Sequence, residues 1–136
     1  MVRSAGIVVV RKTKSGWKYL FLRAFSYWDF PKGRVEDGEQ TLDAAFRETE
    51  EETDLVDLDL RWGEIYIDTE PYGKKKKVAR YYIAETVDKV VTMGINDEIG
   101  KPEHDEYRWV KYKELKELAG PRIRKVAKWA KKVIQD

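Results

Sequence analysis

Cysteine is absent from this chain of 136 residues, and histidine occurs once. Without thiols there is neither a disulfide framework nor a thiolate metal site. An excess of one charge is missing too: 27 Lys and Arg stand against 25 Asp and Glu, a formal net charge of +2. No overall field declares a membrane or nucleic-acid partner, so any electrostatic message must be local. Long apolar runs are lacking. The opening MVRSAGIVVVRK falls well short of a membrane span and has no signal-peptide pattern, so a cytoplasmic protein without a membrane partner is expected. Repeats and linker-like tracts are missing as well. The length suits one domain with a real core, and residues 1–136 are read as a single domain. What the chain holds in abundance is charge of both signs, 38% of its residues against the roughly 25% usual in soluble domains.

Apolar patterning supplies the elements. SAGIVVVR, residues 4–11, is a short β-branched run that fits a buried strand. WKYLFLRAF, residues 17–25, alternates as a strand covered on both faces, and SYWDFPKG predicts a brief strand ending in a loop at Pro31 and Gly33. Leu42, Ala45, Phe46 and Thr49 recur at helical spacing, so residues 41–53 form a helix with one face for the core. Residues 61–70 and 77–85 read as an antiparallel hairpin around PYGKKK. Residues 92–102 are a polar loop, and EYRWVKY, residues 106–112, is a last strand. Pro121 opens a second helix whose Ile123, Val126, Ala127, Ala130, Val133 and Ile134 pack on the sheet. Strands interleaved with two helices give an α/β (α+β) class, a mixed sheet between helices.

Residues 33–55, GRVEDGEQTLDAAFRETEEETDL, concentrate the chemistry. Glu48, Glu51 and Glu52 fall within an arc of roughly 100° on the helix, facing away from its apolar stripe. Like charges at this spacing repel by a few tenths of a kcal/mol per pair, so a positive partner belongs among them. Clustered hard oxygens suit Mg²⁺ or Mn²⁺.

Gly33, Glu39, Arg47-Glu48, Glu51-Glu52 and Leu55 stand at fixed distances, and this pattern resembles the signature of the Nudix hydrolases. Two positions depart from it: Thr49 replaces a larger apolar residue, and Asp54 replaces the glycine that ends the helix. Asp tolerates the left-handed conformation better than most residues, so the departures bear on local stability more than on chemistry. The resemblance implies a Nudix-type α/β/α sandwich and metal-dependent hydrolysis of a phosphoanhydride. It assigns Gly33, Glu48, Glu51 and Glu52 to the metal, Glu48, Glu52 and Arg47 to the catalytic set, and Arg47 with Glu39 to bracing the junction of loop and helix. In many relatives a glutamate from a later loop activates the water. GKPEHDEYRW offers Glu103 and Glu106, with Glu98 further back; Glu103 is favoured. His104 beside it is a candidate phosphate contact or proton carrier.

WDFPKGRVEDGE is similar to the diadenosine polyphosphate hydrolase branch, where a Trp-x-x-Pro-Lys-Gly segment leads into the motif. By that likeness Lys32 faces the phosphate chain, Arg34 is a phosphate contact, and Tyr72, 17 residues beyond Leu55, is placed to stack on a base. Tyr81 and Tyr82 share a strand and face opposite ways; core packing is the default for both, and Tyr82 is the candidate for the nucleotide pocket. The expected partner is a small nucleotide, diadenosine tetraphosphate cleaved to ATP and AMP. Another nucleoside diphosphate derivative, a diphosphoinositol polyphosphate or 5′-triphosphate RNA stay open as substrates, as does a catalytically silent nucleotide-binding module. No nucleic-acid partner is expected from so balanced a charge, and monomer and homodimer are both open.

Overall fold

Bulky apolar residues run unbroken through the middle of the two longest strands, at residues 7–10 and 19–22, which fits strands covered on both faces. In the computed structural model, which describes residues 1–96 and 98–135, these are β1 (Val2–Thr13) and β2 (Gly16–Ala24). They pair antiparallel through a tight turn, Val10 opposite Tyr19 and Thr13 opposite Gly16. β3 (Tyr27–Asp29) pairs with β2, and β4 (Lys32–Arg34) returns to pair with the start of β1. After the helix α1 (Thr41–Thr53) the chain makes β5 (Tyr66–Asp68) and β6 (Val78–Glu85), and β6 runs parallel to β1 from Val2 to Val10. Two short strands, β7 (Ile95–Asn96) and β8 (Lys101–Pro102), pair with each other. β9 (Glu106–Val110) then joins β2, followed by α2 (Tyr112–Leu118) and α3 (Pro121–Ile134). The main sheet is therefore mixed, with β1 at its centre.

Alternation along each strand splits the core in two. Val8 and Val10, Tyr19 and Phe21, and Tyr81 and Ile83 face α2 and α3, where Leu115, Ile123, Val126 and Ala130 are buried. Ile7 and Val9, Leu20 and Leu22, and Tyr82 and Ala84 face α1, against Ala44, Ala45 and Leu55. The result is the expected α/β/α sandwich.

Three elements differ from the sequence reading. EYRWVKY ends as a strand at Val110 and turns into α2 at Tyr112, a third helix of seven residues too short to show a periodic stripe. The first hairpin strand is only three residues long, because a turn at Arg61 and Trp62 precedes it. The polar loop at 92–102 carries β7 and β8, with Asp97 between them outside the described residues. Among the described residues no helix is long and apolar enough to cross a membrane.

Candidate active site

α1 presents its acidic side to a cleft of about 860 Å³ walled by β4, by Met93, Gly94, Ile95 and Glu98, and by the Glu103-His104 loop. The apolar stripe positions it: Ala44, Ala45, Thr49 and Thr53 are buried against the sheet, while Leu42 and Phe46 are only partly covered. The two threonine hydroxyls donate to the carbonyls of Ala45 and Thr49 at 2.7 and 2.6 Å, so neither is an unpaired polar group in the core. Asp54 adopts φ 62°, ψ 16° and its N–H closes the helix on Glu50 O. It thereby does the work of the glycine it replaces.

Arg47 is the positive group among the glutamates. Its Nε and Nη2 donate to Glu39 at 2.8 and 3.0 Å, and Nη1 donates to Glu48 at 2.8 Å and Glu51 at 3.2 Å. Nη2 also holds the Arg34 carbonyl at 2.9 Å, which ties β4 to the helix. This fork pulls the Glu39 carboxyl down to about 2 and raises the guanidinium's own affinity for its proton. Gly33 fits beside it for lack of a side chain, since a Cβ there would lie within the Glu48 carboxylate.

Glu52 sits deepest. Its Oε1 accepts from the Lys32 backbone N–H at 3.1 Å. Burial, then the charges of Glu103 and Glu48, push its carboxyl up to about 9. Glu48 is raised in the same way by burial and by Glu51 and Glu103, against the pull of Arg47. Glu51 is the outermost, with 57% of its side chain exposed. Glu103 thus acts on both inner glutamates from the facing loop, and Glu98 lines the same cleft. Glu106 does not line it; it pairs with Arg23 at 3.3 Å and Arg108 at 2.6 Å on β9.

Lys32 enters from β4. Burial works to lower its ammonium, but Asp29, Tyr72 and Glu52 outweigh that and hold it above its usual value. Asp29, 3.6 Å from Lys32 Nζ, is itself fixed by Tyr81 OH at 2.8 Å and Phe30 N–H at 2.7 Å. His104 lines the cleft with its imidazole lowered, first by burial and then by Lys32, against Glu103, Asp29 and Asp105. Arg34 lines it from an exposed position.

Two candidates lie elsewhere. Tyr82 is 3% exposed in the α1-side core, with its hydroxyl 2.6 Å from Thr41 Oγ1 and its ring edge-on to Tyr66; it does not line the cleft. Strand alternation made that face as available as the other, and only the packing of α1 decides it. Tyr72 lines a separate cleft, between the turn joining β5 to β6 and the start of α3. Gly94 escaped the sequence reading: a Cβ there would meet the Glu51 carbonyl, and Thr92 and Gly94 donate to Thr53 O and Glu52 O at 3.1 and 3.4 Å. The glycine in TMGIN was its one signal, and nothing local says what it approaches.

The donor set suits a hard divalent cation. Three glutamates of one helix, Glu103 and the Gly33 carbonyl region offer oxygen alone, and the Glu52 and Glu48 carboxyls are raised by burial first and then by repulsion from neighbouring carboxylates, both of which a cation would offset. As they stand, no three acidic or imidazole groups among the described residues converge to hold an ion. Arg47 instead holds Glu48 and Glu51, and the Lys32 N–H holds Glu52.

The NUDIX domain pattern matches residues 1–133. The chain is 31% identical over 129 residues to the asymmetrical bis(5′-nucleosyl)-tetraphosphatase of Mus musculus, a match spanning 87% of this chain and 84% of that protein. To the protein of the same name from Caenorhabditis elegans it is 30% identical over 126 residues, 88% and 86% of the two chains. A solved C. elegans Ap4A hydrolase binary complex has a TM-score of 0.81 to it at 22% identity, over 98% of each chain. At that identity the likeness is one of fold.

Proposed function

The chain belongs to the Nudix family and is a hydrolase of phosphoanhydrides, and from this premise we propose that it cleaves diadenosine tetraphosphate asymmetrically to ATP and AMP. The observation that carries the reading is the meeting, in one cleft, of the inner helix glutamates, Glu103, Lys32 and His104, in a chain 31% identical to an asymmetrical tetraphosphatase.

Glu48, Glu51, Glu52 and the Gly33 carbonyl would hold Mg²⁺ or Mn²⁺, and when bound the ion supplies Lewis-acid neutralisation of phosphate charge. The chain's own residues do the rest. Lys32 and Arg34 bind the polyphosphate oxygens, Lys32 aimed by Asp29. Glu103 takes the proton of the attacking water, with Glu98 as the alternative base in the same cleft. The water oxygen forms a bond to phosphorus as the P–O bridge breaks, and the released phosphate leaves on its nucleotide. Arg47 and Glu39 are positioning residues, keeping β4 and α1 in register.

The test is product analysis by anion exchange with Mg²⁺, on the protein and its Glu52→Gln variant, across a panel of diadenosine tetraphosphate, ADP-ribose, dGTP, 5′-triphosphate RNA and a diphosphoinositol phosphate. The expected outcome is ATP plus AMP formed faster than any other product, with the variant slower by about a thousandfold. Faster turnover of another panel member replaces the substrate and keeps the hydrolase.

A further inference from the structure

Glu103 and His104, which line the cleft across from the helix glutamates, stand on a short bridge between two separately held pieces of chain. On one side is the hairpin of β7 and β8, which among the described residues forms a sheet of its own. The segment leading into it is tied to the end of α1 by the Thr92 and Gly94 amides. On the other side is β9, which joins the main sheet with Glu106 opposite Arg23 of β2. Residues 103–105 span the gap between them.

Asp105 is where this bridge meets the main sheet. Its N–H donates to the Arg23 carbonyl at 2.7 Å, and its Oδ2 accepts from the Phe25 N–H at 2.9 Å. Arg23 completes the staple: Nη1 donates to the Phe25 carbonyl at 2.8 Å, and Nε lies 3.3 Å from Glu106 Oε1. Phe25 has φ 59° and is 83% exposed, so a bulky residue sits in the left-handed region without packing to offset the cost. Such a conformation persists where its surroundings hold it, and here the holder is the Asp105 carboxylate. Asp105 itself is not among the residues that line the cleft.

We propose that Asp105 is a positioning residue for phosphoanhydride cleavage: by binding the Phe25 amide it fixes one end of the bridge and so holds the Glu103 carboxylate where it accepts the proton of the attacking water. The assignment rests on the reading of Glu103 as the base and extends that machinery to the turn between β2 and β3. A base on an unfastened bridge spends much of its time out of range, and a misplacement of about 1 Å can cost about a hundredfold in rate.

The experiment compares turnover of the wild type, Asp105→Ala, Asp105→Asn, Glu103→Gln and the double variant Asp105→Ala with Glu103→Gln. The substrate is diadenosine tetraphosphate or, if another nucleotide of the panel is turned over faster, that nucleotide. Asp105→Ala is expected to lower kcat by about tenfold to a hundredfold and to move KM by less than about twofold, because the phosphate contacts are untouched. Asp105→Asn keeps an acceptor oxygen and recovers most of the rate. In the double variant the alanine adds less than about twofold to the loss caused by Glu103→Gln, since displacing a base already disabled costs nothing further. Amide exchange at Phe25 rises in Asp105→Ala, while the urea midpoint moves little because Asp105 is exposed. A wild-type kcat in Asp105→Ala, no recovery in Asp105→Asn, a loss that tracks the fraction unfolded, or the full loss repeated without Glu103 each overturns the positioning role and leaves Glu103 as the base. A wild-type rate in Glu103→Gln instead overturns the reading of Glu103, and the role of Asp105 with it.

Discussion

Arg47 makes four hydrogen bonds to three glutamates and donates a fifth to the Arg34 carbonyl, a pattern that needs a planar fork. Lysine in its place keeps the charge and loses the geometry. Arg47→Lys is expected to lower kcat/KM by about tenfold or more and to cost about 1–2 kcal/mol of stability, read by turnover and by urea unfolding. A wild-type rate in that variant would mean that charge alone is needed. Much of this residue-scale picture was legible, because charge repulsion at helical spacing already demanded a cation among Glu48, Glu51 and Glu52. Spacing could not say that Glu52 would be buried and Glu51 exposed. That difference comes from β4 and the Glu103 loop, which approach one end of the helix from far away in sequence.

The ends of α1 show which features of an element a sequence reveals. Asp54 in the left-handed region is a local matter, anticipated from the missing glycine and found at φ 62°. Asp54→Gly relieves that conformation and is expected to stabilise the protein by about 0.5–1 kcal/mol, measured as a rise in the urea midpoint at unchanged m. Gly94 concerns the same helix end and obeys the opposite rule. Gly94→Ala drives a methyl into the Glu51 carbonyl and is expected to cost about 1–3 kcal/mol. It also loosens amide exchange protection at Thr92 and Gly94, whose bonds to α1 hold the cleft wall. α2 was not legible for a different reason: seven residues make two turns, and its single buried residue, Leu115, leaves no period to read.

At the scale of the whole molecule, the acidic cleft makes stability depend on pH in a definite direction. The Glu52 carboxyl titrates at about 9 in the folded protein against 4.5 ordinarily, so the folded state keeps a proton that the unfolded chain releases. The stability this contributes is complete below 4.5 and drains away as pH rises through about 9, at no more than about 1.4 kcal/mol per pH unit. Glu39 acts on the acid side with the reverse sign: its carboxyl falls to about 2 from 4.5, so its contribution is present above 4.5 and lost as pH drops toward 2. Metal-free protein is therefore expected to lose melting temperature steadily from pH 5 to 9, a slope that Glu52→Gln flattens and added Mg²⁺ offsets; a flat wild-type profile would refute it. The α/β/α layering itself was readable because strand alternation and the α3 stripe are repeated signals, each reinforcing the next. A cation that takes Glu48 and Glu51 must first part them from a tethered guanidinium already in residence. Loading would then be an exchange of one counter-ion for another, with the apparent affinity scaled by the fraction of molecules in which the fork has let go. A site of that kind would follow the ambient supply of its ion, because the resident guanidinium is always at hand to take its place.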